Sequence, residues 1–168
     1  RLINNGKDEP VIEFAFQGPC LKYFGNKRNI VITGEINFIL ARNNSEKEKG
    51  ECYKTIEINN GDVIDIISTN KSVYGYFSVS GGFKIDKVWN SYSTTTRANV
   101  GPNNGCKLIN GQQILLNEKK TIFNRQLNFV NTKIEFIRVL KGTNFDYFSQ
   151  NSINNFFSTD FEVTKLTD

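Results

Sequence analysis

Short runs of β-forming residues dominate the chain, and the first of them alternates in part between apolar and polar positions. "VIEFAF" (11–16) places Ile12, Phe14 and Phe16 on one face and Val11, Glu13 and Ala15 on the other. "QGP" (17–19) is a turn signal, and "CLKYF" (20–24) follows as a second strand. "NIVIT" (29–33) and "EINFIL" (35–40) flank Gly34, which predicts a bulge or tight bend within a strand pair. "ARNNSEKEKGE" (41–51) has no apolar period and reads as a solvated hairpin tip. "CYKTIEI" (52–58), "NNGD" (59–62) and "VIDII" (63–67) predict a hairpin, because Asn and Gly accept the positive φ of a tight turn. "SVYGYFSV" (72–79) is a further strand that stops at Gly81-Gly82.

Beyond a long polar stretch, "QQILL" (112–116), "TIF" (121–123), "KIEFIRVL" (133–140) and "DFEVTKL" (160–166) have strand character. One segment has the helical period. "SQNSINNFF" offers Ser149 as N-cap and puts Ile153, Phe156 and Phe157 on one face, which predicts a short core-facing helix. Many short strands with turns at short intervals, plus one late helix, predict a single mainly β domain built as an antiparallel barrel or sandwich.

Composition narrows the function classes. The chain has 168 residues, one domain's length, and no apolar run that a membrane helix would need. A formal charge of +4 arises from 21 basic and 17 acidic residues scattered without a basic stripe, which argues against nucleic-acid binding. Histidine is absent, so histidine-dependent triads are excluded and a zinc site would lack its usual co-ligand. Cys20, Cys52 and Cys106 are odd in number and form no CxxC pair, which predicts three reduced thiols in a cytoplasmic protein and no metal.

The candidate chemistry lies in the polar stretch after the double glycine. Gly81 and Gly82 permit a sharp turn or a close backbone approach. Ser91, Ser93, Thr94, Thr95, Thr96 and Arg97 follow within a few positions. Hydroxyls without a histidine are weak nucleophiles but serviceable hydrogen-bond donors, and Arg97 adds a planar cationic fork. The set suits a carboxylate, a ureido group or a developing oxyanion. A bland alternative stands beside it: hydroxyls that cap surface turns, with Arg97 in a structural salt bridge. A binder of carbohydrate or peptide is a third possibility, in which Trp89 would be the one large stacking surface.

"YFSVSGGFKIDKVWNSYSTTTRA" (76–98) resembles the "YLAVAGGIDVPPVLGSRSTYLRA" signature of the second allophanate-hydrolase-type subunit family. That family takes in the C component of 5-oxoprolinase and the matching part of urea carboxylase. "PVIEFAFQGPCLKYF", "IVITGEINF", "INNGDVIDI" and "IRVLKGTNFDYFSQNSINNFFSTDFEVT" are similar to its further segments in order, so the resemblance runs along nearly the whole chain. Gly81, Gly82, Ser91, Ser93, Thr94 and Arg97 match signature positions, and the resemblance implies that they bind substrate. Asn90 stands where the family usually has glycine, and Tyr92 where it usually has arginine.

The resemblance implies a cyclophilin-like antiparallel β-barrel, residues 1–168 being a fragment of a larger two-barrel subunit that is inactive by itself. It implies a partner subunit like the first allophanate hydrolase subunit and a small urea- or lactam-like amide as substrate. It implies biotin and ATP held by partners and none held here, with transfer of a carboxyl group to an amide-like nitrogen or hydrolysis of a lactam. The alternative within the family is a non-catalytic regulator of the Kip type, which binds a partner protein.

Overall fold

The computed structural model describes residues 2–43, 47–118, 123–128 and 136–162. The chain divides into two compact units, Arg1–Val130 and Asn131–Asp168. Among the described residues, eight strands belong to the first: β1 (Ile12–Ala15), β2 (Cys20–Lys22), β3 (Arg28–Thr33), β4 (Ile36–Ala41), β5 (Lys47–Lys49), β6 (Ile56–Ile58), β7 (Val63–Thr69) and β8 (Tyr74–Val79). They form two antiparallel four-stranded sheets, ordered β1-β8-β3-β6 and β2-β7-β4-β5.

The pairings nest: β1 with β8, β2 with β7, β3 with β6, and β4 with β5. This is the topology of a jelly roll, one long folded hairpin wrapped into two sheets. The expected closed barrel is therefore corrected to an open two-sheet sandwich among the described residues. The chain changes sheet at every connection between consecutive strands except β4 to β5, so no strand links the edges of one sheet to those of the other.

The bend expected within a strand pair at Gly34 and the turn expected to close a hairpin at "NNGD" are both sheet crossings. The bend at Gly34 leads from β3 into β4, and the "NNGD" turn leads from β6 into β7, in each case out of one sheet and into the other. The second turn is held by Asp62, whose backbone amide donates to the Asn59 carbonyl at 3.1 Å while its carboxylate accepts the Asn59 amide at 2.9 Å. That local chemistry fixes a reversal but does not choose the sheet of the next strand. The "ARNNSEKEKGE" hairpin does form, with Leu40 opposite Glu48, its residues 44–46 lying outside the described ones.

Period-two alternation aims Phe14, Ile30, Ile32, Phe77, Val79 and Ile58 of one sheet at Ile36, Phe38, Leu40, Ile64 and Ile66 of the other, and these side chains form the core. Phe16, expected on the same face as Phe14, instead has φ of 61° and is exposed, because its amide and carbonyl are drawn into the corner with Val73 and Thr69.

In the second unit, α1 (Gln150–Ser158) begins as expected at Ser149, whose hydroxyl accepts the Ser152 amide at 3.2 Å. Its phenylalanines are not core. Phe156 and Phe157 are exposed and pack edge-to-face on each other with ring centres 5.2 Å apart. The strand expected over 133–140 falls partly outside the described residues, and residues 136–140 adopt no regular element. Residues 160–162 likewise form no strand, while 163–166 and the 121–122 part of "TIF" lie outside the described residues. "QQILL" contributes a single bridge, Leu116 to Phe83. No described helix is long and apolar enough to cross a membrane.

Candidate functional site

β8 ends at Val79, and the chain reverses through Ser80, Gly81 and Gly82, with the Gly82 amide donating to the Val79 carbonyl at 3.0 Å. Both glycines have positive φ, 85° and 78°. A Cβ on Gly81 would lie 2.5 Å from the Glu118 carbonyl oxygen, and one on Gly82 would meet the Glu9 carboxylate. Glycine is needed here for the turn and for close approach by the protein's own atoms, and both residues are buried. Asn5 clasps the same turn: its side-chain oxygen accepts the Gly81 amide at 3.0 Å and its nitrogen donates to the Val79 carbonyl at 2.9 Å.

From this turn the chain makes a long excursion and returns alongside its own departure. Phe83 bridges Leu116, the Lys84 amide donates to the Leu115 carbonyl at 2.8 Å, and the Asn117 amide donates to the Gly82 carbonyl at 3.1 Å. The Asn117 side chain adds a bond to the Phe83 carbonyl at 3.1 Å. The polar loop is thus mounted on a closed neck.

Within the excursion, Val88 and Ser91 exchange both backbone bonds at 3.0 Å around Trp89 and Asn90, whose φ values are 49° and 61°. Two left-handed central residues define a type I′ turn. Asn tolerates this conformation best after glycine, so Asn90 can serve where the resemblance leads one to expect glycine. Trp89 gains no such tolerance and is 83% exposed. Tyr92, in place of the signature arginine, has Lys87 Nζ 5.0 Å from its ring centre, so a cation still lies beside this position.

The hydroxyls divide into roles. Ser91 Oγ accepts the Ser93 amide at 3.1 Å and keeps its own proton for an outside acceptor. Thr94 Oγ1 donates to the Pro102 carbonyl at 3.2 Å, which commits its proton within the loop. The Ser93 hydroxyl has no partner among the described residues. Thr95 pairs with Val100 through bonds of 2.8 and 3.3 Å, and the Ala98 amide closes a turn onto the Thr95 carbonyl at 3.1 Å. Arg97 sits in that turn, exposed, with no ion pair among the described residues. The structural salt bridge weighed for it in the sequence finds no carboxylate among the described residues.

The sequence singled out Gly81, Gly82, Ser91, Ser93, Thr94 and Arg97. The fold puts the last four on one excursion and the two glycines at its neck. Asn5, Glu9, Arg28 and Asn117, which build the neck, carried no local signal, since their partners lie far along the chain. A separate groove of about 460 Å³ lies on the outer face of the β1-β8-β3-β6 sheet, between Thr33, Tyr53, Tyr76 and Ser78, and has no charged lining residue among the described ones.

Nucleophilic alternatives are poor. Burial, with the charge of Asp65, pushes the Cys20 thiol up, and burial pushes Cys52 up likewise. Neither is a ready thiolate. No group of three potential metal ligands occurs among the described residues.

The first unit is thus a jelly roll that projects a stapled, hydroxyl-bearing loop, whose Arg97 guanidinium has no ion pair among the described residues. The chain belongs to the carboxyltransferase domain family, subdomains A and B, which matches residues 1–168. Urea amidolyase of Saccharomyces cerevisiae is 27% identical over 176 residues, which cover 97% of this chain and 9% of the yeast protein. The C component of 5-oxoprolinase from Haemophilus influenzae is 27% identical over 113 residues, covering 67% of this chain and 35% of that protein. In fold, the urea carboxylase of Kluyveromyces lactis superposes with a TM-score of 0.63 at 24% identity, covering 70% of this chain and 10% of that one. The chain therefore spans well under half the length of each of these relatives.

Proposed function

We propose that this chain supplies the substrate-anchoring loop of a biotin-dependent carboxyltransferase, or of a 5-oxoprolinase-type amide hydrolase, acting on a small urea- or lactam-like amide. The observation that carries this reading is Arg97: an exposed guanidinium with no ion pair among the described residues, on a loop whose Ser91 and Ser93 protons remain free to donate. Such groups stabilise charge building on a carbonyl or ureido oxygen and do not themselves attack carbon.

Ser93 and Ser91 donate to the substrate oxygen, and Arg97 holds an anionic group by two parallel bonds. Thr94 acts indirectly, by tying the loop to Pro102. Biotin, borne by another protein, would supply the carboxyl group; hydroxyl donors and a guanidinium suit its ureido oxygen. ATP is handled by a partner, as this chain carries no P-loop. The partner resembles the first allophanate hydrolase subunit, and the assembly works in the cytoplasm. The enzyme names of the relatives favour this over a Kip-type regulator.

The test is reconstitution of the complete protein carrying this chain with its partner, a biotinylated carrier, bicarbonate and ATP. Turnover of urea, guanidine or 5-oxoproline that is lost in Arg97→Ala is the expected result. A complex that binds its partner firmly but turns over none of these amides would overturn the enzymatic reading.

A further inference from the structure

We propose that Arg28 is the positioning residue of the hydroxyl-rich loop: its buried guanidinium closes the neck from which the excursion projects. Arg28 opens β3 on the core side of its sheet, opposite Ile58, and is 8% exposed. Its Nη1 donates to the Ser80 carbonyl at 2.7 Å and its Nη2 to the Asn117 carbonyl at 2.9 Å. Those two carbonyls bracket the excursion, one just before the double glycine and one just after the return bridge. A single planar fork thus spans departure and return, separated from it in sequence by 52 and 89 residues.

Two features argue that the arginine is not retained for general stability. No carboxylate pairs with it among the described residues, so a charge is buried against carbonyl dipoles alone. Its Nε is buried without a hydrogen-bond partner among the described residues. A buried charge without a counter-ion is costly, and only its bonds to the two carbonyls offset that cost. What an apolar residue cannot do is join the two carbonyls. Gly81 fits the same purpose: a Cβ there would stand 3.3 Å from Arg28 Nη1 and 2.5 Å from the Glu118 carbonyl, in the space through which the fork reaches.

The proposal rests on the proposed function only in taking the loop as the substrate site, and the experiment separates the two. Arg28→Met and Arg28→Lys are compared with Asn5→Ala, which removes the other clasp of the turn but leaves the fork in place. Trypsin can cut within the excursion after Lys84, Lys87, Arg97 and Lys107, all exposed. Trp89, the one tryptophan of the chain, reports the excursion's motion by fluorescence anisotropy. Both Arg28 variants should be nicked within residues 84–107 about ten- to a hundredfold faster, the population expected on losing charge-assisted bonds. Their Trp89 anisotropy should fall, Arg28→Met should melt within a few degrees of the wild type, and Asn5→Ala should be nicked at nearly the wild-type rate.

Equal nicking of Arg28→Met and wild type would overturn the proposal, as would an Asn5→Ala variant opened to the same extent. If Arg28→Lys fails to fold, Arg28→Met decides. In the reconstituted complex, faster nicking should accompany a raised KM. Faster nicking in a complex with no turnover even as wild type would leave the clamp standing and remove the enzymatic reading.

Discussion

The Ser93 amide donates to Ser91 Oγ at 3.1 Å, so one serine of the pair fixes the backbone of the other. The two hydroxyls are therefore separable by mutation. Ser91→Ala removes a turn-fixing bond and should cost about 1 kcal/mol of stability. Ser93→Ala removes no bond among the described residues and should leave the melting temperature within about a degree, while lowering turnover of the reconstituted complex about fivefold, one neutral hydrogen bond's worth. An active Ser93→Ala complex with a lowered melting point would reverse the assignment.

Arg97→Lys keeps the charge and loses the fork. Turnover should drop about ten- to a hundredfold, equivalent to about 1.5–3 kcal/mol, with the thermal midpoint unchanged. Calorimetry and steady-state kinetics on one preparation separate loss of anchoring from loss of fold, and a destabilised but fully active variant would end the anchoring role.

The Trp89-Asn90 turn is mismatched at its first position. The double change Trp89→Asn with Asn90→Gly installs the pair that type I′ turns favour and should raise stability by about 1 kcal/mol, a shift of about 2–4 °C at this chain length. An unchanged or lower midpoint would mean that the indole packs more than its 83% exposure allows.

Cys20, Cys52 and Cys106 should all titrate as free thiols in denaturant. Burial raises the Cys52 pKa, so the native state disfavours its thiolate. Its contribution to stability is present in full below the ordinary thiol pKa of 9.0 and is lost as pH rises through the higher native value. Cys52→Ser should therefore flatten the alkaline limb of a stability–pH curve. In the folded protein at neutral pH, Cys52 should alkylate more slowly than the exposed Cys106.

Gly50 tests the core. Its amide donates to the Phe38 carbonyl at 3.0 Å, and a Cβ there would overlap the Phe38 ring. Gly50→Ala should destabilise by about 1–3 kcal/mol through overpacking, measurable by urea unfolding.

The strands were legible from runs of β-forming residues bounded by turn signals: β1 and β8 lie within such segments and β3, β4 and β7 overlap them to within two residues, and Ser149 marked the helix start through a bond to its own near neighbour. The arrangement of those strands was not legible. Asn59–Asp62 encodes a reversal through contacts three residues apart, and nothing in that chemistry says whether Val63 pairs with β6 or with a strand of the other sheet. "KIEFIRVL" has strand character, but pattern alone supplies no partner, and Phe136, Ile137 and Leu140 are exposed. The site divided in the same way. The hydroxyls and Arg97 lie close in sequence and could be read together, whereas Arg28 acquires its meaning from Ser80 and Asn117 and shows no motif.

Nested pairing also sets an order of assembly. Only β4 and β5 meet across a short loop; β3 must wait for β6, β2 for β7, and Ile12 of β1 for Phe77 of β8. Such high contact order makes for slow folding, because each outer pair closes a larger loop than the last. During synthesis β1 is the first of the eight strands to leave the ribosome and is paired only after β8 has emerged, so its edge spends longest in search of a mate. The neck that carries the polar loop follows β8 directly and is thus among the last parts of the first unit to acquire its shape.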